Sequence, residues 1–416
     1  MFNTLRFALL FLIFAGCGED GETDSTDSDT SIHPLCERLP DLCVSPEEGR
    51  IGEPTVIAPS AMMPVQFESQ VAHNNLDVVW HADRLYAAIR TAPNHFANED
   101  TVMYVVSSPD LQEWRFEGEV AIGTDVREPQ LVSLGERLWL YYAVLGDNPM
   151  DFEPQGTEVI EYIGPGEWTP AEPAFDSGLI PWRIKSLGDR LEMIGYVGGE
   201  NVYDQGGDAE EDAIHTIWLS SADGENWEPV IDDAVVRSSG ASETDLVVRD
   251  DGSLVAVARN EAGDSLGYGS HICSAPADDW SDWTCVGDPR KYDSPLMLIE
   301  NDQPWLIARR NVTETGNYDL QLEDTSDPFL RYQLDYWTRP KRCALWRVDG
   351  DGLEVTHEVD LPSRGDTCFP EAIALGDGLY LVFNYTSPFD GEDIAWQVGQ
   401  GGETWVYWIV VDLNAN

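Results

Sequence analysis

Positive charge is what this chain has least of. Its 416 residues carry 24 Lys and Arg against 76 Asp and Glu, a formal net charge of −52. Phosphate would be repelled, so nucleic acid is a poor partner. The acid is spread along the chain, the pattern of a soluble surface. Long hydrophobic runs are missing as well; the apolar stretch from Phe7 to Phe14 is too short to span a bilayer. The seven histidines are scattered. There is no His-Glu-x-x-His zinc motif, no phosphate-cradling loop and no Gly-x-Ser-x-Gly elbow. No close cysteine pair is matched by histidines, which argues against zinc. Helical periodicity is lacking too.

What is present is one hairpin written six times. The clearest copy is SETDLVVRDDGSLVAVARN, from Ser242 to Asn260: an apolar strand, Asp251-Gly252, and a second strand ending in Arg259. Asp-Gly between apolar runs predicts a tight turn, because such turns need positive φ. The other copies begin at Leu76, Glu128, Ile180, Asp293 and Phe369. With Asp83, Glu136, Asp189, Gly252, Asp302 and Gly378 as turn markers, the spacings are 53, 53, 63, 50 and 76 residues. Strand repeats of this period predict an all-β, six-bladed β-propeller. Outer hairpins follow from Thr101, Thr157, Ala213 and Gly267, each with a tryptophan after its turn: Trp114, Trp168, Trp227 and Trp283. Those rings are expected to pack between blades rather than bind ligand. The fifth outer hairpin follows an insertion at 313–341. The sixth blade runs out of chain, so a segment within Pro54 to Ser69 is expected to complete it and close the ring.

The remaining organisation is read from the first fifty residues and the cysteines. Arg6, the apolar stretch and Ala15-Gly16-Cys17 resemble a bacterial lipoprotein signal, which makes residues 1–16 the signal peptide and Cys17 the lipidated residue. Residues 17–31 read as an acidic disordered tether, 32–53 as a small disulfide-bonded segment, and 54–416 as the propeller domain. An exported monomer is expected, held to the cell envelope by lipid only, at the outer membrane or cell surface. The other six cysteines pair locally as Cys36 with Cys43, Cys273 with Cys285, and Cys343 with Cys368 on this reading, out of fifteen possible connectivities. The acidic loops from Val202 and Leu322 could hold calcium but lack EF-hand spacing, so no cofactor or metal is expected.

Laying the copies on one another aligns Arg90, Ala143, Tyr196, Arg259, Arg309 and Tyr385, seven residues after each marker. Nine residues before each marker stand Asn74, Arg127, Ile180, Glu243, Asp293 and Phe369. Both rows should lie at one end of the propeller axis. Converging arginines predict a carboxylate or other anion site, since guanidinium grips planar anions through two hydrogen bonds. The alternative is that they pair with Glu243, Asp293 or other acids of the chain.

The turns SPDLQEW (Ser108 to Trp114) and SADGENW (Ser221 to Trp227) resemble the Asp-box turns of sialidases. Glu243, Asp251, Gly252, Arg259 and Asn260 are similar to a sialidase hairpin, and ARRNVT (Ala308 to Thr313) to its stretch with another substrate-binding Arg. The resemblance implies a glycan-recognising, sialidase-like propeller, with Arg90, Arg127, Arg259, Arg309 and Asp245 as candidate substrate-binding residues. Two departures stand out. The Arg-Ile-Pro motif is replaced near His73 and Asn74, and the nucleophilic Tyr falls on Phe369. A second resemblance is to five-bladed arabinanase-type glycosidases, through Arg127-Glu128-Pro129. Paired carboxylates can act there as acid and base; Glu128, Glu243 and Asp293 are the catalytic candidates, with Asp245 and Glu371 behind them. A noncatalytic glycan- or protein-binding propeller is the alternative function.

Overall fold

Six antiparallel sheets make up the protein in a computed structural model that describes residues 33–149, 153–175, 178–187, 190–198, 214–231, 236–237, 241–323 and 326–415. The expected signal peptide, Cys17, the tether, the turn at Asp189 and most of the acidic loop after Val202 lie outside them. Blade one comprises Ala72–His81, Arg84–Ala92, Val102–Ser108 and Arg115–Val120, paired in that order. The first strands of the other blades are Val126–Leu134, Ile180–Leu187, Ala241–Val248, Asp293–Glu300 and Glu371–Gly376. These first strands contact one another from blade one through blade five, and that of blade six meets that of blade one. They therefore line an axis, which makes the fold a six-bladed β-propeller.

Closure is made as expected. Thr55–Ala58 pairs antiparallel with Trp405–Asp412, the third strand of blade six, with Thr55 opposite Trp408 and Val56 opposite Tyr407. Its Ile57 and Ala58 are fully buried. The segment before it packs on the same seam. Leu35, Cys36 and Leu42 join the core shared by blades one and six, and Arg50 donates to the Leu413 carbonyl at 2.7 Å. All three expected disulfides are present: Cys36–Cys43, Cys273–Cys285 and Cys343–Cys368.

The turns differ in one detail. Two-residue turns with both residues at positive φ occur at Ala82-Asp83, Asn301-Asp302 and Asp377-Gly378. The Asp251-Gly252 copy, the clearest in sequence, is not such a turn. Val248 pairs with Leu254 across five loop residues, and only Gly252 has positive φ. The reason is local: the Asp251 carboxylate accepts from the Ser253 amide and hydroxyl, which favours a wider Asx-type loop.

The outer turns are alike. Asp110 Oδ1 accepts from the amides of Gln112 and Glu113, and Asp223 Oδ1 from those of Glu225 and Asn226. The tryptophans pack as expected: Trp114 is buried, Trp168 donates to the Glu117 carbonyl of the preceding blade, and Trp227 lies edge-on to Tyr141. The insertion holds a helix that the strand pattern did not announce, Pro328–Trp337, capped by Asp327 and burying Phe329, Tyr332 and Tyr336.

Candidate functional site

The two aligned rows meet at one end of the axis. Asn74 pairs with Arg90, Arg127 with Ala143, Ile180 with Tyr196, and Asp293 with Arg309; the Phe369 amide donates to Asn384 beside Tyr385. In three blades the first strand bulges directly after this row, in blade three one residue later, and in blade four Glu243 lies within the bulge itself. Asn75, Glu128 and Ser294 hold positive φ there, a conformation that side chains with a Cβ seldom adopt. Bulges bend a strand and re-aim its side chains. Here they turn the row toward the axis.

The arginines do converge, but onto acids of the chain. Arg90 is wholly buried and donates to Asp125 Oδ1 from Nε at 3.0 Å and Nη2 at 2.6 Å, and to Asn74 at 2.8 Å. Arg127 binds the other Asp125 oxygen and the His95 carbonyl at 2.9 Å. Burial would raise the Asp125 pKa, yet Arg127 and Arg90 hold it below the usual carboxylate range. On the opposite side Arg259 is paired with Glu243 and lies 3.5 Å from Asp293. Arg309 binds Asp293 at 3.0 Å and the carbonyls of Thr367 and Cys368. Lys291 stands 3.6 Å from Asp293. Against the burial penalty, Lys291, Arg259 and Arg309 pull the Asp293 pKa down to about 2. Burial pushes Glu243 up, with Arg259 opposing; its second oxygen accepts from the Ser294 amide at 2.6 Å.

Glu128 is different. Its Oε2 is buried without a hydrogen-bond partner. Burial pushes its carboxyl up to about 8, the Glu243 charge adds to this, and Arg127, Arg259 and Arg183 pull the other way. Solvent reaches Arg127, Glu243, Arg259 and His95 through the 13–19% of each side chain left exposed, whereas Arg90, Asp125, Asp293 and Arg309 are at 6% or less. The accessible floor is therefore Arg127, half-buried Glu128, Glu243 and Arg259, with His95 at its edge.

Other candidates sit elsewhere. Asp245 lies deeper and is occupied: its carboxylate accepts from the Leu246 and Met297 amides and from Lys185 at 2.6 Å. Asp77 and Gln130 likewise bridge to the next blade. These contacts hold neighbouring first strands in register and leave Asp245 committed to the ring. Arg183, which sequence alignment passed over, spans the axis to Glu371 at 2.5 Å and to the Pro370 carbonyl at 2.8 Å. With Trp182 edge-on to Phe369 it plugs the channel. Phe369 is buried there, with the Arg183 guanidinium 5.9 Å from its ring. Beyond the plug a cavity of about 590 Å³ opens toward the hairpin turns, lined by Val79, Val247, Leu298 and Ile373 among others.

Several site residues were missed. Asp125, His95 and Asp366 lie between hairpins, outside the aligned rows; His95 Nδ1 is 2.8 Å from Asp366. Burial holds the His95 pKa below normal, so at neutral pH Nδ1–H donates to Asp366. Tyr336 comes from the insertion helix and donates to Asp293 at 2.9 Å. Trp396 lies over Arg309 at 4.6 Å. The signal for Tyr336 was available: Asp327-Pro328 is a helix start, with aromatics at the helical spacing of Phe329, Tyr332 and Tyr336. The insertion thus roofs the site. Among the described residues no group of three or more His, Cys, Asp or Glu is placed to hold a metal ion. No described helix is long and apolar enough to cross a membrane.

The fold is that of the sialidase-like propeller glycosidases. A protein of unknown function from Dyadobacter fermentans superposes with a TM-score of 0.56 at 13% identity, over 87% of this chain and 98% of that one. The endosialidase of phage phi92 gives 0.55 at 10% identity, over 88% and 70%. An α-L-arabinofuranosidase from Fusarium graminearum, solved with an iminosugar inhibitor, gives 0.52 at 11% identity, over 88% and 98%. No protein-family profile matches the sequence, and no curated protein does. At these identities the likeness is one of fold.

Proposed function

We propose that the protein recognises a glycan at the arginine-bearing end of the axis and hydrolyses a glycosidic bond there. Glu128 carries the reading. It is a carboxyl on a bulge at positive φ, with one oxygen unpartnered and a proton retained near neutral pH. That is the state a general acid needs. Protonated Glu128 would donate to the glycosidic oxygen as the bond to the sugar breaks. Glu243, oriented by Arg259 and the Ser294 amide, would supply the second carboxylate, by attacking the sugar or by taking a proton from water. Asp293 stays ionised behind it and holds Arg259 and Arg309 in place beside Glu243. Neighbouring folds named for an endosialidase and an arabinofuranosidase support sugar chemistry as the class.

Three disulfides fit an oxidising, extracytoplasmic setting. The lipoprotein-like start at Cys17 extends this to a protein tethered to the cell envelope. The test is a screen of chromogenic glycosides. Hydrolysis should fall by about 10²- to 10⁴-fold in Glu128→Gln and in Glu243→Gln, while sugar binding persists. Phe369 favours a second reading. A buried phenyl ring stands where the sialidase resemblance puts a tyrosine, which suits a noncatalytic glycan-binding module. Binding with every glycoside left intact would select it.

A further inference from the structure

We propose that the axial site takes uncharged sugars in preference to carboxylate-bearing ones, and that Asp125 sets this preference by engaging Arg90 and Arg127. The inference deepens the glycan reading and rests on it. A carboxylate ligand needs a guanidinium with two donors free to grip it. In the two rows every arginine already faces a carboxylate of the chain, so a ligand's carboxylate would meet donors whose charge is compensated. Asp125 takes Arg90 through two donors and Arg127 through a third. Glu243 takes Arg259, and Asp293 with two carbonyls takes Arg309. An anionic sugar would have to displace carboxylates that are built into the strands.

The charge count leaves little surplus to attract an anion. Arg90, Arg127, Arg259, Lys291 and Arg309 are five cations; Asp125, Glu243, Asp293 and Asp366 are four anions. One positive charge remains while Glu128 holds its proton, and none once it ionises. That remainder sits inside a molecule with a formal charge of −52, whose field disfavours the approach of anions. A neutral sugar pays no such penalty: its hydroxyls can donate to Glu243 and accept from Arg127 without breaking an ion pair. Blade three adds an apolar side, where Ile180 and Tyr196 cluster with Ala143 and Ile214.

Asp125 acts through the arginines, because its own carboxylate is wholly buried. Replacing it by Asn raises the local charge by one and loosens Arg127, the partner that reaches solvent. The experiment is calorimetric titration at pH 7 and low salt with matched methyl glycosides, galactose against galacturonic acid and glucose against glucuronic acid, plus N-acetylneuraminic acid. The native protein should bind the neutral member of a pair at least about tenfold tighter, about 1.4 kcal/mol. In Asp125→Asn that ratio should fall at least tenfold. Equal or tighter binding of the acids by the native protein overturns the proposal but leaves glycan recognition standing. Binding of neither member overturns both. An unchanged ratio in a variant with native circular dichroism removes Asp125 as the determinant. Should the variant not fold, the native pairs alone decide the preference.

Discussion

Glu128→Gln should stabilise the protein as pH rises, and by a calculable amount. Burial holds the folded Glu128 pKa at about 8, above an ordinary value of 4.5. Between those values the unfolded chain releases the proton and the folded chain keeps it. Stability owed to the protonated group is complete below pH 4.5 and is lost as pH climbs through 8. Each unit is worth about 1.36 kcal/mol, so the window sets a ceiling of about 5 kcal/mol. The side chain is half-buried, and solvent screening should reduce this to about 2 kcal/mol. Gln has no proton to lose. The variant should match the native protein at pH 4 and exceed it by a few degrees in melting temperature at pH 9. Lys341 complicates either profile alone. Burial and the Arg309 charge push it down to about 6, so its contribution rises with pH from about 6 toward its ordinary 10.5, overlapping the Glu128 window. Both proteins carry it, and it cancels in the difference. Thermal melts of the two at half-unit intervals from pH 4 to 9 are the assay. A difference that stays flat would show that Glu128 titrates normally, and the general-acid assignment would fall with it.

Other contacts make their own predictions. A chain beginning at Gln70 loses the Thr55–Ala58 strand and buried Leu35 and Ile57, so its melting temperature should drop by more than about 5 °C; an unchanged melt would disprove closure. Replacing Cys343 and Cys368 together by Ser frees a link across 25 residues, which should cost about 3.5 kcal/mol in urea unfolding, and a loss near zero would contradict this. Tyr336→Phe removes the roof's hydrogen bond to Asp293; a loss of about 1–2 kcal/mol is expected, and none would mean the insertion helix is not anchored there.

The blades were legible because each repeats the same local chemistry. Alternating apolar residues and a turn marker recur wherever a first strand must bury one face and reverse. Aligning on the turns located the axial row without any long-range information, since strand pairing converts equal distance from a turn into equal height in the sheet. Arg90 opposite Asn74 and Arg309 opposite Asp293 follow from that alone. Closure was legible for a different reason: a blade one strand short leaves an unpaired edge, and Thr55–Ala58 is what covers it. The insertion helix was not, because its ten residues carry a single short apolar stripe, Phe329, Tyr332 and Tyr336, between long strand-patterned stretches.

The character of the site was harder to read than its position. Counting arginines on a row predicts attraction for anions only while their partners are unknown, and the decisive partner came from outside the repeat. Asp125 sits in the link before blade two, where no alignment of hairpins would place it, yet it bonds one guanidinium group from each row. The same holds for Asp366, which lies before blade six and binds His95 and Tyr385. Links between blades are free of the packing that makes hairpins repeat, so they can vary the chemistry at the axis while the strands hold its geometry. An acid in such a link can turn a row of arginines from a ligand grip into internal ion pairs. Selectivity in this propeller should therefore respond more to changes at Asp125 and Asp366 than to changes in the turns by which the row was found.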